Sequence, residues 1–222
     1  MIVTDLDDTL YKEKDYVRSS VRAIGESLER MGVMSVSEVV DILNSAATLH
    51  QGFYLLSSMI KAIYPHTEFD DKWMVNIYRT HEPRIELNET VIDLFMCLIK
   101  NGQTIAIITD GRSNTQRAKI KALGLDQFVS PWNIIISSEV GGDKTTRVPF
   151  DTLMSRNPNE KRFVYIGDNP AKDFYWPNEL GWETIQLDDT AGINIHSQTI
   201  EVPDNFKAKY RISRIEDIVN YL

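Results

Sequence analysis

Two hydrophobic rhythms divide the chain. Between Tyr11 and Arg84 apolar positions recur three and four apart, with no convincing strand among them. Val17, Val21, Ile24, Leu28 and Met31 share one face of a first helix that Gly32 ends, and Val36, Val39, Val40 and Leu43 follow an N-cap at Ser35. Leu55, Leu56, Met59, Ile60 and Ile63 predict a third helix halted by Pro65, with Gln51-Gly52-Phe53 between helices. Trp73, Ile77 and Tyr78 predict a fourth before Pro83. Helices in succession without a strand predict a separate subdomain rather than a cover for a sheet.

The second rhythm is an alternation of helix and strand. Met1 to Thr4 predicts a short buried strand, and from Leu87 onward helix-spaced stretches alternate with continuous apolar runs, the pattern of a parallel sheet buried on both faces. Val91, Phe95 and Leu98 mark a helix closed by Asn101-Gly102, and Ile105 to Ile108 a strand. A helix capped at Ser113 runs to Gly124, before a strand at Ile134 to Ile136 and a polar loop from Glu139 to Arg147. Pro149 to Met154 predicts a short helix, Phe163 to Ile166 a fourth strand and Glu183 to Leu187 a fifth. Residues 188–209 are polar and irregular, and Arg214 to Leu222 predict a docking helix.

The strand ends carry the chemistry. Asp5-Leu6-Asp7-Asp8-Thr9 packs three carboxylates into four positions, Thr109-Asp110-Gly111 follows the second strand, and Gly167-Asp168-Asn169-Pro170 follows the fourth. Lys144 sits in the loop after the third strand. Like charges this close repel, and a bound cation relieves them. A charge run is ordinarily a solvated turn, Thr-Asp-Gly an ordinary turn, and a lone lysine solvent-facing. In a parallel sheet, however, these loops emerge at one edge, where ligands collect. A calcium loop starting at Asp5 is excluded, because Leu10 and Tyr16 stand where its glycine and glutamate belong.

Size and charge narrow the classes. At 222 residues, 42% of them hydrophobic, the chain fits one large domain or a core with an inserted subdomain. Thirty-two acidic against 24 basic residues give a net charge of −8, which argues against a nucleic-acid or anionic membrane surface. The single cysteine, Cys97, suits a reducing compartment. With no signal-like N-terminal segment and no apolar stretch of membrane-span length, a cytoplasmic location is expected. Nothing in the pattern indicates an oligomeric state. Histidines 50, 66, 81 and 196 lack metal-ligand spacing and read as structural or surface groups.

Asp5-Leu6-Asp7-Asp8-Thr9, Thr109, Lys144 and Gly167-Asp168 with Asp173 together resemble the four motifs of the haloacid dehalogenase (HAD) superfamily, most of whose members are magnesium-dependent phosphatases. The resemblance implies an α/β, Rossmann-like core of residues 1–12 and 84–222 with a parallel sheet, and an inserted all-helical cap over residues 13–83. It makes Asp5 the nucleophile and Asp7 the general acid and base. Thr109 and Lys144, with Asp110 and Gly111 of the same strand end, would bind phosphate. Mg²⁺ would be held by Asp5, Asp168 and the backbone carbonyl of Asp7, with Asn169 and Asp173 in support. Lys161 and Lys172 are the alternatives to Lys144. Thr4 stands where a bulky apolar residue is common, which predicts a weakly covered edge of the core.

The implied chemistry also separates branches of the family. Expelling an alkoxide needs a proton donor and expelling halide does not, so the carboxyl of Asp7 favours phosphate esters over haloacids. A cap that limits access favours a small phosphorylated metabolite, a sugar phosphate or a nucleotide monophosphate. Tyr11, Lys12, Tyr16, Arg18 and Gln51-Gly52-Phe53 are the cap-side candidates for selectivity, although Phe53 reads more simply as core. Lys12, Lys14, Lys61 and Lys72 read as solvated. The competing functions are a phosphotransferase or sugar-phosphate mutase on the same scaffold, and a binding protein that has lost turnover.

Overall fold

The computed structural model describes residues 1–66 and 69–221. The chain divides into two compact units, Met1–Lys14 with Glu86–Leu222 and, inserted between them, Asp15–Ile85. In chain order the elements are β1 (Ile2–Thr4), α1 (Glu13–Arg30), α2 (Val36–Ser45), α3 (Leu49–Ile63), α4 (Asp71–Thr80), α5 (Glu89–Lys100) and β2 (Ile105–Thr109). There follow α6 (Ser113–Ala122), β3 (Ile134–Ile136), α7 (Ser137–Val140), α8 (Val148–Arg156), β4 (Val164–Gly167), α9 (Tyr175–Glu179), β5 (Glu183–Leu187) and β6 (Tyr210–Ile212).

The first unit is a six-stranded sheet in the order β3-β2-β1-β4-β5-β6, and each neighbouring pair is parallel. Parallel neighbours need crossovers, which the intervening helices supply. One face carries Val3, Ala106, Ile108, Ile135 and Tyr165 into a core with Phe150, Phe174 and Trp182. The alternate residues Ile2, Ile105, Ile107, Val164 and Ile166 are equally buried, so both faces are covered and the strands read as unbroken apolar runs. Burial holds β1 in place despite its three residues, at roughly 1.5–3 kcal/mol for each large apolar side chain. Its register sets Ile2 beside Ile105 and Val164.

The sequence expectation fails at identifiable places in this unit. Thr4 does not mark a thin edge: β1 is central, and Thr4 is buried between β2 and β4. Residues 210–212 add β6, which the pattern missed because Tyr210 and Arg211 are exposed on the sheet's last strand. The docking helix is a 3₁₀ helix over Ile215–Tyr221, with Leu222 outside the described residues; its buried Ile215 and Ile218 are three apart, the repeat of that tighter helix. The cap falls one residue before the expected Ser113, because Arg112 is the N-cap and the Ser113 hydroxyl donates instead to Glu139 Oε1 at 2.6 Å. The polar loop begins with the single turn of α7.

The second unit packs α1 to α4 around Ile24, Leu28, Val39, Leu43, Leu56, Ile60 and Met74. Ser35 caps α2 as its spacing to Glu38 predicts, in a reciprocal capping box. Thr48 caps α3 through a bond from Gln51 N–H at 3.2 Å, so Gln51-Gly52-Phe53 lie inside a helix rather than between two. The buried face of α3 is Gly52, Phe53, Leu56, Ser57 and Ile60, whereas Leu55, Met59 and Ile63 are exposed, as is Met31. A helix apolar on more than one side does not reveal from its period which side packs. Among the described residues, no helix is long and apolar enough to cross a membrane.

Candidate active site

The three central strands β2, β1 and β4 end side by side, and their next residues converge on a cavity of about 120 Å³ lined by Asp5, Asp7, Thr109, Lys144, Asp168 and Lys172 among others. A larger hollow of about 480 Å³ lies within the helical unit, and two of its charged groups, Arg84 and Glu26, are paired with each other at 2.6 Å.

Lys144 is the hub. Its ammonium lies 2.9 Å from Asp5 Oδ1 and 2.6 Å from Asp173 Oδ1, with all three side chains almost wholly buried. Carboxylate oxygens of Asp5, Asp168 and Asp173 lie within 4.8 Å of one another. Burial works to lower the Lys144 ammonium, but the charges of Asp173 and Asp5 overcome it and hold its pKa well above the usual value. Burial pushes Asp5 up against the lowering pull of Lys144, with Asp173 and Asp168 adding to the rise. Asp168 is pushed up to about 7, by burial first and then by the charge of Asp173.

The donor set fits a hard divalent cation. Asp173 is already filled: Oδ1 takes Lys144 and the Tyr165 hydroxyl at 3.3 Å, and Oδ2 takes the Asn169 N–H at 2.8 Å. Among the described residues Asp168 is met on Oδ2, by Asn194 Nδ2 at 2.9 Å, and Oδ1 is the oxygen that could take a cation. Asp5 and Asp168 are acids whose protonation is favoured by burial first and then by neighbouring negative charge, and a cation with a preference for oxygen ligands would relieve both. Gly167 is required by the same packing, since a Cβ there would stand 2.4 Å from Asp173 Oδ2.

The remaining predicted residues are placed as follows. Asp110 lines the cavity, but its Oδ1 accepts the Lys144 N–H at 3.0 Å and so steadies the lysine loop. Gly111 N–H donates to Ser137 Oγ at 2.9 Å. Lys172 stands at the mouth, 3.8 Å from Asp110 Oδ2 and partly exposed, while Lys161 is exposed and outside the cavity lining. Tyr11 is buried in the sheet unit, with its hydroxyl 2.5 Å from Asp7 Oδ1. Lys12 Nζ donates to Asn194 Oδ1 at 2.6 Å. Tyr16, Arg18 and Gln51 to Phe53 belong to the helical unit, where the Tyr16 hydroxyl donates to Tyr78 O and Arg18 pairs with Asp15.

Sequence reasoning missed a second layer. Lys119 Nζ lies 2.7 Å from Asp7 Oδ1 and 3.6 Å from Glu13 Oε1, and Gln116 Nε2 lies 2.9 Å from Asp7 Oδ2 and 2.7 Å from Thr109 Oγ1. Both are buried, three apart on α6, and that spacing was the available signal. The loop after β5 was also missed: Asn194 reaches Asp168, Gln198 Nε2 reaches Asp168 O, and Ile195 N–H reaches Asp8 Oδ2.

Comparison with known proteins agrees with this geometry. Residues 2–186 match the family model described as haloacid dehalogenase-like hydrolase. Glyceraldehyde 3-phosphate phosphatase of Methanocaldococcus jannaschii is 26% identical over 227 aligned residues, covering 99% of this chain and 95% of that one. Ribulose-1,5-bisphosphate 5-phosphatase of Halopiger xanaduensis is 32% identical over 92 residues, 41% of this chain and 38% of that one. Among solved structures, the magnesium-bound HAD-hydrolase YfnB of Bacillus subtilis superposes with a TM-score of 0.66 at 18% identity, covering 100% and 97% of the two chains. A 2-haloacid dehalogenase of Pseudomonas syringae gives 0.62 at 16% identity over 99% and 96%, so phosphatase and dehalogenase share the fold, and the site's own chemistry must separate them. A sheet with its acids at three adjacent strand ends and a lysine in the loop after a fourth strand, an inserted helical unit and a family match over most of the chain lead to one conclusion: the chain belongs to the haloacid dehalogenase-like hydrolases, as a member with a helical cap subdomain.

Proposed function

We propose that this hydrolase cleaves phosphomonoesters of small metabolites through an aspartyl-phosphate on Asp5. The observation that carries the reading is the buried ammonium of Lys144 between Asp5 and Asp173, in one cluster with Asp168. An isolated carboxylate approaching a phosphate dianion is repelled, and this arrangement supplies the positive charge that offsets the repulsion. Magnesium, were it bound at these acids, would supply further positive charge to offset that repulsion. Asp5, Asp168 and the backbone carbonyl of Asp7 are the residues that would hold it.

In the first step an oxygen of Asp5 forms a bond to phosphorus, the bond from phosphorus to the ester oxygen breaks, and the alcohol leaves with a proton from Asp7. In the second step Asp7 takes a proton from water, the water oxygen bonds to phosphorus, and the acyl-phosphate bond breaks to release inorganic phosphate and the Asp5 carboxylate. Thr109 and Lys144 bind the phosphoryl oxygens throughout, Asp110 steadies the Lys144 backbone, and Asp173 holds its ammonium. Asp7 also favours esters over haloacids, because the carboxyl of Asp7 has a task only where an alkoxide must be protonated.

For the substrate, the names of the two curated relatives favour phosphorylated sugars over nucleotide monophosphates. The test is phosphate release, with and without magnesium, from an aryl phosphate and a panel of sugar phosphates and nucleotide monophosphates. Magnesium-dependent turnover that falls by about 10³-fold or more in Asp5→Asn is expected. Equal rates for wild type and variant would remove the proposal.

A further inference from the structure

Asp7 is held more completely than a proton shuttle needs for solubility or packing. Its Oδ1 meets both Lys119 Nζ at 2.7 Å and the Tyr11 hydroxyl at 2.5 Å, whereas Oδ2 meets Gln116 Nε2 at 2.9 Å. The Gln116 amide nitrogen is shared with Thr109 Oγ1 and Asp110 O, each at 2.7 Å. An amide nitrogen carries two hydrogens, so three acceptors compete for them, and Asp7 Oδ2 is the most distant of the three. The two oxygens of Asp7 therefore differ: Oδ1 is committed to a cation and a hydroxyl, and Oδ2 is the one from which a donor is most readily withdrawn.

Lys119 reaches this place at considerable cost. Its side chain is 4% exposed, and a buried ammonium is tolerated only when paired, here with Asp7 and with Glu13. We propose that Lys119 is a positioning residue that, by occupying Oδ1 of Asp7, reserves Oδ2 for the proton given to the departing alcohol. The inference rests on the reading of Asp7 as general acid. Gln116 ties the same carboxyl to Thr109, so the proton donor and one phosphate-binding hydroxyl are oriented by a single amide.

The experiment compares kcat/KM for an alkyl phosphate, whose leaving group needs a proton, with kcat/KM for 2,4-dinitrophenyl phosphate, whose phenolate leaves without one. This parameter covers binding through alcohol release, and the ratio within one preparation cancels any inactive fraction. In Lys119→Met the alkyl value should fall by about 30-fold more than the aryl value, a share of the 10²–10⁴ that general acid catalysis supplies. Lys119→Arg, which keeps a cation, should recover part of the ratio, and Lys119→Gln supplies the measurement if Lys119→Met is inactive on both esters. A ratio equal to wild type in Lys119→Met or Lys119→Gln overturns the proposal and makes Lys119 structural. Asp7→Asn is the reference: if its ratio also equals wild type, the assignment of Asp7 as acid fails first, and the two failures are thereby told apart.

Discussion

Asp8 stands in the left-handed backbone region at φ 57°, where a side chain other than Asn, Asp or Gly is disfavoured. It is buried, and both its oxygens are used, Oδ1 by the Glu13 N–H at 2.9 Å and Oδ2 by the Ile195 N–H at 2.8 Å. The third acid of the cluster thus fastens the loop that carries the other two. Asp8→Ala loses two part-buried bonds and strains the backbone, and should cost about 2–4 kcal/mol in urea unfolding. Asp8→Gly relieves the backbone and should be the milder variant, and an Ala variant as stable as wild type would dismiss the role. That Asp5, Asp7, Thr109, Lys144 and Asp168 would line one cavity was legible because the loops of a parallel sheet gather at one edge. Gln116 and Lys119 were not, because polar residues on a polar helix read as solvated until their partners are known.

At the scale of elements, local chemistry was legible where it is self-contained. Ser35 and Glu38 satisfy one another's backbone donors, and that reciprocity is written in four consecutive residues. Ser35→Ala should lower the stability of the helical unit by about 1 kcal/mol, followed through Trp73 on α4 during chemical denaturation, and an unchanged midpoint would show that the packing of α2 alone holds its first turn. Where an element's partners are distant the pattern misled. The exposed Leu55, Met59 and Ile63 share α3 with the buried Leu56 and Ile60, and the side that faces inward is set by packing against the neighbouring helices, where Leu43 closes on Gly52. β6 is a strand by pairing with β5 rather than by composition. The cap of α6 was misassigned because the Ser113 hydroxyl is drawn to Glu139, 26 residues away.

For the molecule as a whole, folding gathers acids that gain from protonation or from a cation. Asp168 rises from an ordinary 3.8 to about 7, chiefly through burial, and Glu13 from 4.5 to about 7, through burial and the charge of Asp7. A carboxyl whose folded value is raised binds its proton more tightly in the folded chain. The stability it contributes is complete below the unfolded value and is lost as pH rises through the folded one. In a chelator the thermal midpoint should therefore fall between pH 6 and pH 8, by a few degrees for a chain of this size. Magnesium held at Asp168 would bind the ionised form and stabilise the folded state by mass action, so protons and the ion would compete. The rise in midpoint on adding magnesium should accordingly be larger at pH 8 than at pH 6. Asp168→Asn removes one of the two titrating groups and a candidate cation ligand, and should reduce the decline to the share of Glu13 while abolishing most of the response to magnesium. A magnesium response that is equal at the two pH values, or intact in Asp168→Asn, would mean that the ion is held elsewhere.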